Sequence, residues 1–114
     1  MKKSDAVAKL SALAQDNRLD VFRLLVEAGP DGMPAGHIAA SLRMPPSALT
    51  FHLDRLREAG LVSVRRDGRM MIYSAQFAAM DGLVEYLTAH CCQGRVDIRR
   101  PKPRMVRLKT ERAR

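Results

Sequence analysis

No run of apolar residues in this chain approaches the roughly 20 that a membrane-spanning helix needs. The N-terminus, MKKSDAVAKLSALAQ, places Ser, Asp, Lys and Gln where a signal peptide requires an unbroken apolar stretch. A cytoplasmic protein with no membrane partner is therefore expected. Cysteine is scarce as well: Cys91 and Cys92 are the only two, and they are adjacent. That excludes a disulfide framework and predicts resting thiols. Also missing are a Gly-rich phosphate loop, a spaced set of metal ligands and a nucleophile–base–orienter set, so nothing in the sequence supports an enzyme. With 114 residues, the chain can bury one core but not two.

Negative charge is in short supply, but unevenly so. The chain carries a formal +8, yet residues 95–114 hold nine Lys/Arg against two acids, while residues 1–94 hold eleven against ten. The basic excess thus belongs to RVDIRRPKPRMVRLKTERAR, where Pro101 and Pro103 forbid a continuous helix and apolar residues are sparse. Two parts are expected: a folded unit over 1–94 and a flexible basic tail over 95–114. The tail either solubilises the protein or adds non-specific attraction to phosphates.

The informative stretch runs from Pro34 to Tyr73. Ala35 to Leu42 reads as a short helix burying Ile38, Ala39 and Leu42. A turn follows, and Pro46 suits the first position of a second helix, where its missing N–H costs nothing. Leu49, Leu53 and Leu56 form one apolar stripe at i, i+4 and i+7, and Gly60 supplies a left-handed stop. At about 100° per residue, Ser47, Phe51, Asp54 and Arg55 point away from the stripe, with Thr50 and His52 on its flanks. A thin buried seam, small polar residues and an exposed aromatic suit a helix that enters a groove. Two strand-like runs, Leu61–Arg66 and Arg69–Tyr73, then flank Asp67-Gly68, predicting a hairpin on a type I′ turn. Arg65, Arg66 and Arg69 crowd its tip. Helix, turn, helix and basic hairpin together predict a winged helix-turn-helix, mainly α with a β-hairpin wing, on double-stranded DNA. The predicted DNA-facing residues are Ser47, Thr50, Phe51, His52, Arg55, Arg65, Arg66 and Arg69.

Elsewhere, Ser4 or Asp5 opens a helix with Val7, Leu10, Leu13 and Ala14 on one face. Asp16-Asn17 is expected to cap another, with Leu19, Phe22, Leu25 and Val26 inward, and Gly29-Pro30-Asp31-Gly32 is a loop. Phe77 to Cys92 is predicted as a long helix whose seam, Phe77, Met80, Val84, Leu87 and Cys91, recurs at 3, 4, 3 and 4. Spare seams on terminal helices point to a two-fold dimer.

LSALAQDNRLDVFRLL together with IAASLRMPPSALTFHLDRLREAGLVSVRRDGRMMIYS resembles the arsenic- and metal-responsive ArsR/SmtB repressors, over residues 7 to about 94. The likeness is carried by the run from Leu10 to Leu19, by His52-Leu53 and by Glu58-Ala59-Gly60-Leu61-Val62. It implies a homodimer joined through the first and last helices, which sits on operator DNA and leaves when an inducer binds. The metal sites common in that family are not reproduced. The helix Gly36-His37-Ile38-Ala39-Ala40-Ser41 has no Cys-x-Cys pair. On the last helix, Asp81 is followed by Leu83 where a zinc site would need His, and Glu85 and His90 do not complete the set. One subgroup does carry adjacent cysteines where Cys91-Cys92 stands, although its arsenite-binding members add a third cysteine that Val96-Asp97-Ile98-Arg99 does not supply.

Adjacent thiolates are soft donors, suited to trivalent arsenic or antimony, while strain makes a disulfide between neighbours easily reduced. Cys91 and Cys92 are therefore the predicted inducer site, with no permanent cofactor. A redox or sulfur-species switch at the same pair is the alternative, and packing of Cys91 in the seam is the bland reading. His37 is read as structural and His90 as a weak third ligand. Arg18 matches an arginine of the family that a surface ion pair explains equally well.

Overall fold

The computed structural model describes residues 1–91; Cys92 and the basic tail lie outside them. The elements run α1 (Lys3–Leu13), α2 (Asp16–Ala28), β1 (Met33–Pro34), α3 (Ala35–Leu42), α4 (Pro46–Glu58), β2 (Val62–Asp67), β3 (Met70–Ala75) and α5 (Phe77–Thr88). Among the described residues, no helix is long and apolar enough to cross a membrane.

Local chemistry sets the boundaries. At the start of α1, Asp5 is not the cap itself; it sits at the third helical position and accepts from the Lys2 N–H at 3.4 Å. The cap of α2 is Gln15 rather than Asp16-Asn17, its Oε1 accepting from the Arg18 N–H at 2.9 Å. On the inward face of α2, Phe22 and Leu25 are buried as expected, but Val21 is buried in place of Leu19, which is exposed. After α4, Gly60 takes φ +79; its N–H donates to the Arg57 carbonyl and that of Leu61 donates to Leu56. This pair of bonds forms a Schellman stop, as the sequence predicted.

The core lies where α2, α3 and α4 meet the base of the wing. Leu25, Ile38, Leu49, Leu53, Leu56, Leu61 and Val21 are its fully buried large side chains. Each contributes about 1.5–3 kcal/mol by leaving water. Because the Leu49–Leu53–Leu56 stripe belongs to this core, α4 is fixed by its inner face and its outer face is left bare.

The sheet has three antiparallel strands in the order β1-β3-β2. Sequence reading foresaw the hairpin but not β1, where Met33 pairs with Tyr73 and Pro34 with Ile72. A two-residue strand ending in proline carries almost no pattern, and proline is tolerated there because β1 is an edge. Gly32 makes the approach possible: its φ is +73, and a Cβ at that position would collide with the Tyr73 carbonyl. The turn of the wing is also shifted by one residue. Asp67 pairs with Met70, so Gly68-Arg69 are the central pair, and only Gly68 has positive φ, +64. That is the mark of a type II′ turn, not the expected type I′, and it extends β2 through Asp67.

The last helix is shorter than predicted. It ends at Thr88, whose hydroxyl donates to the Val84 carbonyl at 2.9 Å, and His90 turns left-handed at φ +60. Cys91 therefore follows the helix rather than continuing its seam. The seam divides: Phe77 and Met80 pack against the core, whereas Val84 and Leu87, 52% and 56% exposed, point outward. Val7 and Leu10 on α1 are exposed as well. Leu83, in the place where a zinc site would have needed His, is buried.

Candidate nucleic-acid interface

The turn between α3 and α4 is built on a second Schellman stop. Arg43 adopts the left-handed conformation (φ 53, ψ 48); its N–H donates to Ala40, and that of Met44 donates to Ala39 at 3.0 Å. Glycine is the usual residue at such a point, so Pro45-Pro46 marked the turn in the sequence but nothing marked Arg43 as its left-handed residue. Pro45 then takes an extended ψ of 140 and Pro46 begins α4, as expected.

On the outer face of α4, Ser47, Thr50, Phe51 and Arg55 are all exposed. The Thr50 hydroxyl donates to the Pro46 carbonyl at 3.0 Å, which leaves its lone pairs outward as acceptors. Phe51 has no place in the core and is 51% exposed. The Arg55 guanidinium lies 4.9 Å from its ring centroid and also pairs with Glu58 at 3.1 Å. Phe51 and Arg55, four residues apart, thus form one stacked platform on the exposed face. On the same helix Asp54 pairs with Arg57 at 3.3 Å.

His52 does not belong to that face. It is only 8% exposed, because it lies within about 60° of both Leu49 and Leu56 around the helix axis and falls on the core side. Its ring meets Phe51 edge-on at 5.6 Å between centroids, and its Nδ1 has no hydrogen-bond partner among the described residues. Burial first, and the positive charge of Arg18 second, lower its pKa from 6.5. It thus sits on the core side of α4 rather than on the flank that the leucine stripe suggested.

The three wing arginines differ in what holds them. Arg65 donates to the Asp31 carbonyl at 3.2 Å, tying β2 to the loop before β1. Arg66 donates from Nε to the Gly68 carbonyl at 3.2 Å, inside the tip. The side chain of Arg69 has no hydrogen bond or ion pair among the described residues. A shallow groove of about 390 Å³ separates the tip from the start of α3, lined by Gly36, His37, Arg69, Met70 and Met71 with Pro34 and Ala35. His37, read from the sequence as a structural residue facing solvent or loop, is exposed and lines the same groove as Arg69. Only the pairing of β1 with β3 brings the two together, so no local pattern could have shown it.

The predicted inducer site is described in part. Cys91 is exposed, just past the end of α5, and Cys92 lies outside the described residues. Among the described residues, no group of three or more His, Cys, Asp or Glu is placed to hold a metal ion.

Comparison with known proteins bears on the same surface. Residues 13–65 match a model described as a helix-turn-helix domain. The chain is 30% identical over 88 residues to the transcriptional activator HlyU of Vibrio cholerae, covering 77% of this chain and 79% of that protein. The solved structure of HlyU superposes with a TM-score of 0.64 at 29% identity, covering 82% of this chain and all of that one. A putative arsenical resistance operon repressor of Halobacterium salinarum is 37% identical over 67 residues, 59% of this chain and 51% of that protein. A homodimeric winged helix-turn-helix DNA-binding domain from Mycobacterium bovis, titled a possible ArsR-family regulator, gives a TM-score of 0.59 at 25% identity, over 77% of this chain and 86% of that one.

Proposed function

Because the chain belongs to the ArsR/SmtB family of winged helix-turn-helix transcriptional regulators, we propose that it is a homodimeric repressor released from operator DNA when a trivalent arsenical binds Cys91 and Cys92. The chain is a DNA-binding regulator, as its relatives are, and not an enzyme. The single observation that supports thiol control is the exposed Cys91, placed where α5 stops, with Cys92 next in sequence. α5 is also the helix whose apolar Val84 and Leu87 face solvent in the single chain, as a dimer helix requires. A ligand that clamps the end of such a helix can change how two copies meet, and with it the spacing of the two α4 helices. It needs to favour the released form by only a few kcal/mol.

In this reading α4 enters the major groove, with Ser47, Thr50, Phe51 and Arg55 toward bases and phosphates. Arg65, Arg66 and Arg69 place the wing along the backbone. A methylated trivalent arsenical is preferred over arsenite: arsenite offers three positions to sulfur, whereas a monomethyl species leaves two, which matches two thiolates. Antimonite shares the soft chemistry.

The test is a titration of methylarsenite, arsenite and hydrogen peroxide, each separately, against the protein bound to DNA from its own promoter region. Release by methylarsenite at lower concentration than arsenite, lost in Cys91→Ser and in Cys92→Ser with DNA binding intact, is the expected result. Release by peroxide alone would move the switch to thiol oxidation. Release from the double Cys→Ser variant would remove the pair from the mechanism.

A further inference from the structure

A cleft of about 270 Å³ opens between α1, the start of α2 and the end of α4. Its walls are Ala8, Ser11 and Ala12 from α1, Arg18 from α2, and Arg55, Glu58 and Ala59 from α4 and its end. Its distinguishing feature is Arg18. Sequence reading allowed it a surface ion pair, but it is half-buried and has no carboxylate partner among the described residues. Its Nε is committed, donating to the Ala12 carbonyl at 2.6 Å across the α1–α2 corner. No described residue accepts from its terminal nitrogens. Those terminal nitrogens are not buried, so they stay open to the cleft, where an anion can reach them.

From this geometry we infer that the cleft is an effector site for a small organic monocarboxylate, held by the terminal nitrogens of Arg18 and the Ser11 hydroxyl. The three alanines leave an apolar floor for a short hydrocarbon or single-ring body. Glu58, though paired with Arg55 at 3.1 Å, adds negative charge to the rim and disfavours a dianion such as phosphate. Arg18 presents a planar donor pair, the geometry a carboxylate matches.

The site is wired to the reading helix without any movement being needed. Arg55 lines the cleft and also stacks on Phe51. Arg18 is the charge that acts on buried His52. An anion on Arg18 offsets that charge and so raises the His52 pKa, a signature that a purely structural arginine would not give.

The probe is sodium benzoate added to the full-length, isotope-labelled protein, with sodium chloride matching ionic strength and benzyl alcohol as the neutral analogue. The expected result is saturable amide shifts confined to Ala8, Ser11, Ala12, Arg18 and Ala59, with an upward move of the His52 ring titration. Both should vanish in Ala8→Leu, which fills the cleft without touching the arginine, and in Arg18→Gln if that variant folds. Absence of saturable shifts overturns the inference. So does an equal response to benzyl alcohol, or full benzoate binding by Ala8→Leu.

Discussion

Replacing Phe51 with alanine tests whether the bare face of α4 reads sequence or merely tolerates an exposed ring. The ring is half-exposed, so its removal forfeits only part of the 1.5–3 kcal/mol that complete burial would represent, about 1 kcal/mol. Loss of the stack with Arg55, 4.9 Å from the centroid, adds about 0.5 kcal/mol at an exposed site. Core phenylalanines cost about 3–5 kcal/mol when truncated, so the melting behaviour alone separates the two placements. On DNA the expectation reverses. A phenyl ring in the major groove suits the thymine methyl, and removing one such apposition costs about 1–3 kcal/mol of discrimination, roughly 5- to 150-fold. Competition binding of Phe51→Ala against operator variants changed one base pair at a time should show relaxed preference at one T·A pair per half-site. Unchanged selectivity together with a stability loss of core size would refute the assignment.

Three further outcomes follow from the geometry. Arg69→Ala should lower the slope of log affinity against log salt by about 0.9 for each phosphate the side chain neutralises, with no change in melting temperature, since that side chain holds nothing within the described residues; an unchanged slope would take Arg69 off the backbone. Gly32→Ala should destabilise the fold by about 2–4 kcal/mol in denaturant titration, combining a left-handed φ of +73 with displacement of β1 from the Tyr73 carbonyl; a loss below about 0.5 kcal/mol, on the order of a surface change, would show that β1 is dispensable. His52 titrates lower in the folded chain than its unfolded value of 6.5, so well above pH 6.5 it is neutral in both states and does not affect the pH dependence of stability. As pH falls below 6.5 the unfolded chain takes up a proton the folded one resists, and stability declines until the folded pKa is passed. His52→Gln should flatten the decline in unfolding midpoint between about pH 7 and pH 5; an identical pH dependence in the variant would place the titrating group elsewhere.

The parts of the fold that were legible are those whose signal is local. Pro46 and Gly60 bracket α4 because one residue tolerates the loss of an N–H and the other accepts positive φ, and neither fact depends on the rest of the chain. β1 was invisible for the opposite reason. Met33-Pro34 becomes a strand only because β3 presents an edge to it, and Gly32 becomes indispensable only because the Tyr73 carbonyl lies in the way of a Cβ. The wing turn sits between these cases. Asp-Gly is a true hairpin signal, but the register that pairs Val62 with Ala75 decides which two residues turn, and it selects Gly68-Arg69.

His52 shows why a periodic stripe identifies a reading helix better than it assigns the residues at its edges. Three leucines define a direction, not a width, and the buried sector of α4 widens toward α2, where Val21 and Leu25 fill the core and Arg18 comes close enough to act on the imidazole. A flank residue is then buried on one side of the stripe, while Thr50, on the other flank, stays in solvent. The same limit explains the end of α5. The 3-4-3-4 spacing joined Phe77 and Met80, which pack against the core, to Val84 and Leu87, which are exposed, and periodicity alone carried it on to Cys91. The backbone stops first: Ala89 leaves the helix with a ψ of 136 and His90 adopts positive φ. Cys91 is thereby moved from a packing position in a seam to an exposed one beyond it. Packing in the seam was the bland explanation for that thiol, and it required the helix to continue past Thr88; the exposed position leaves Cys91 open to the ligand or redox chemistry proposed for it.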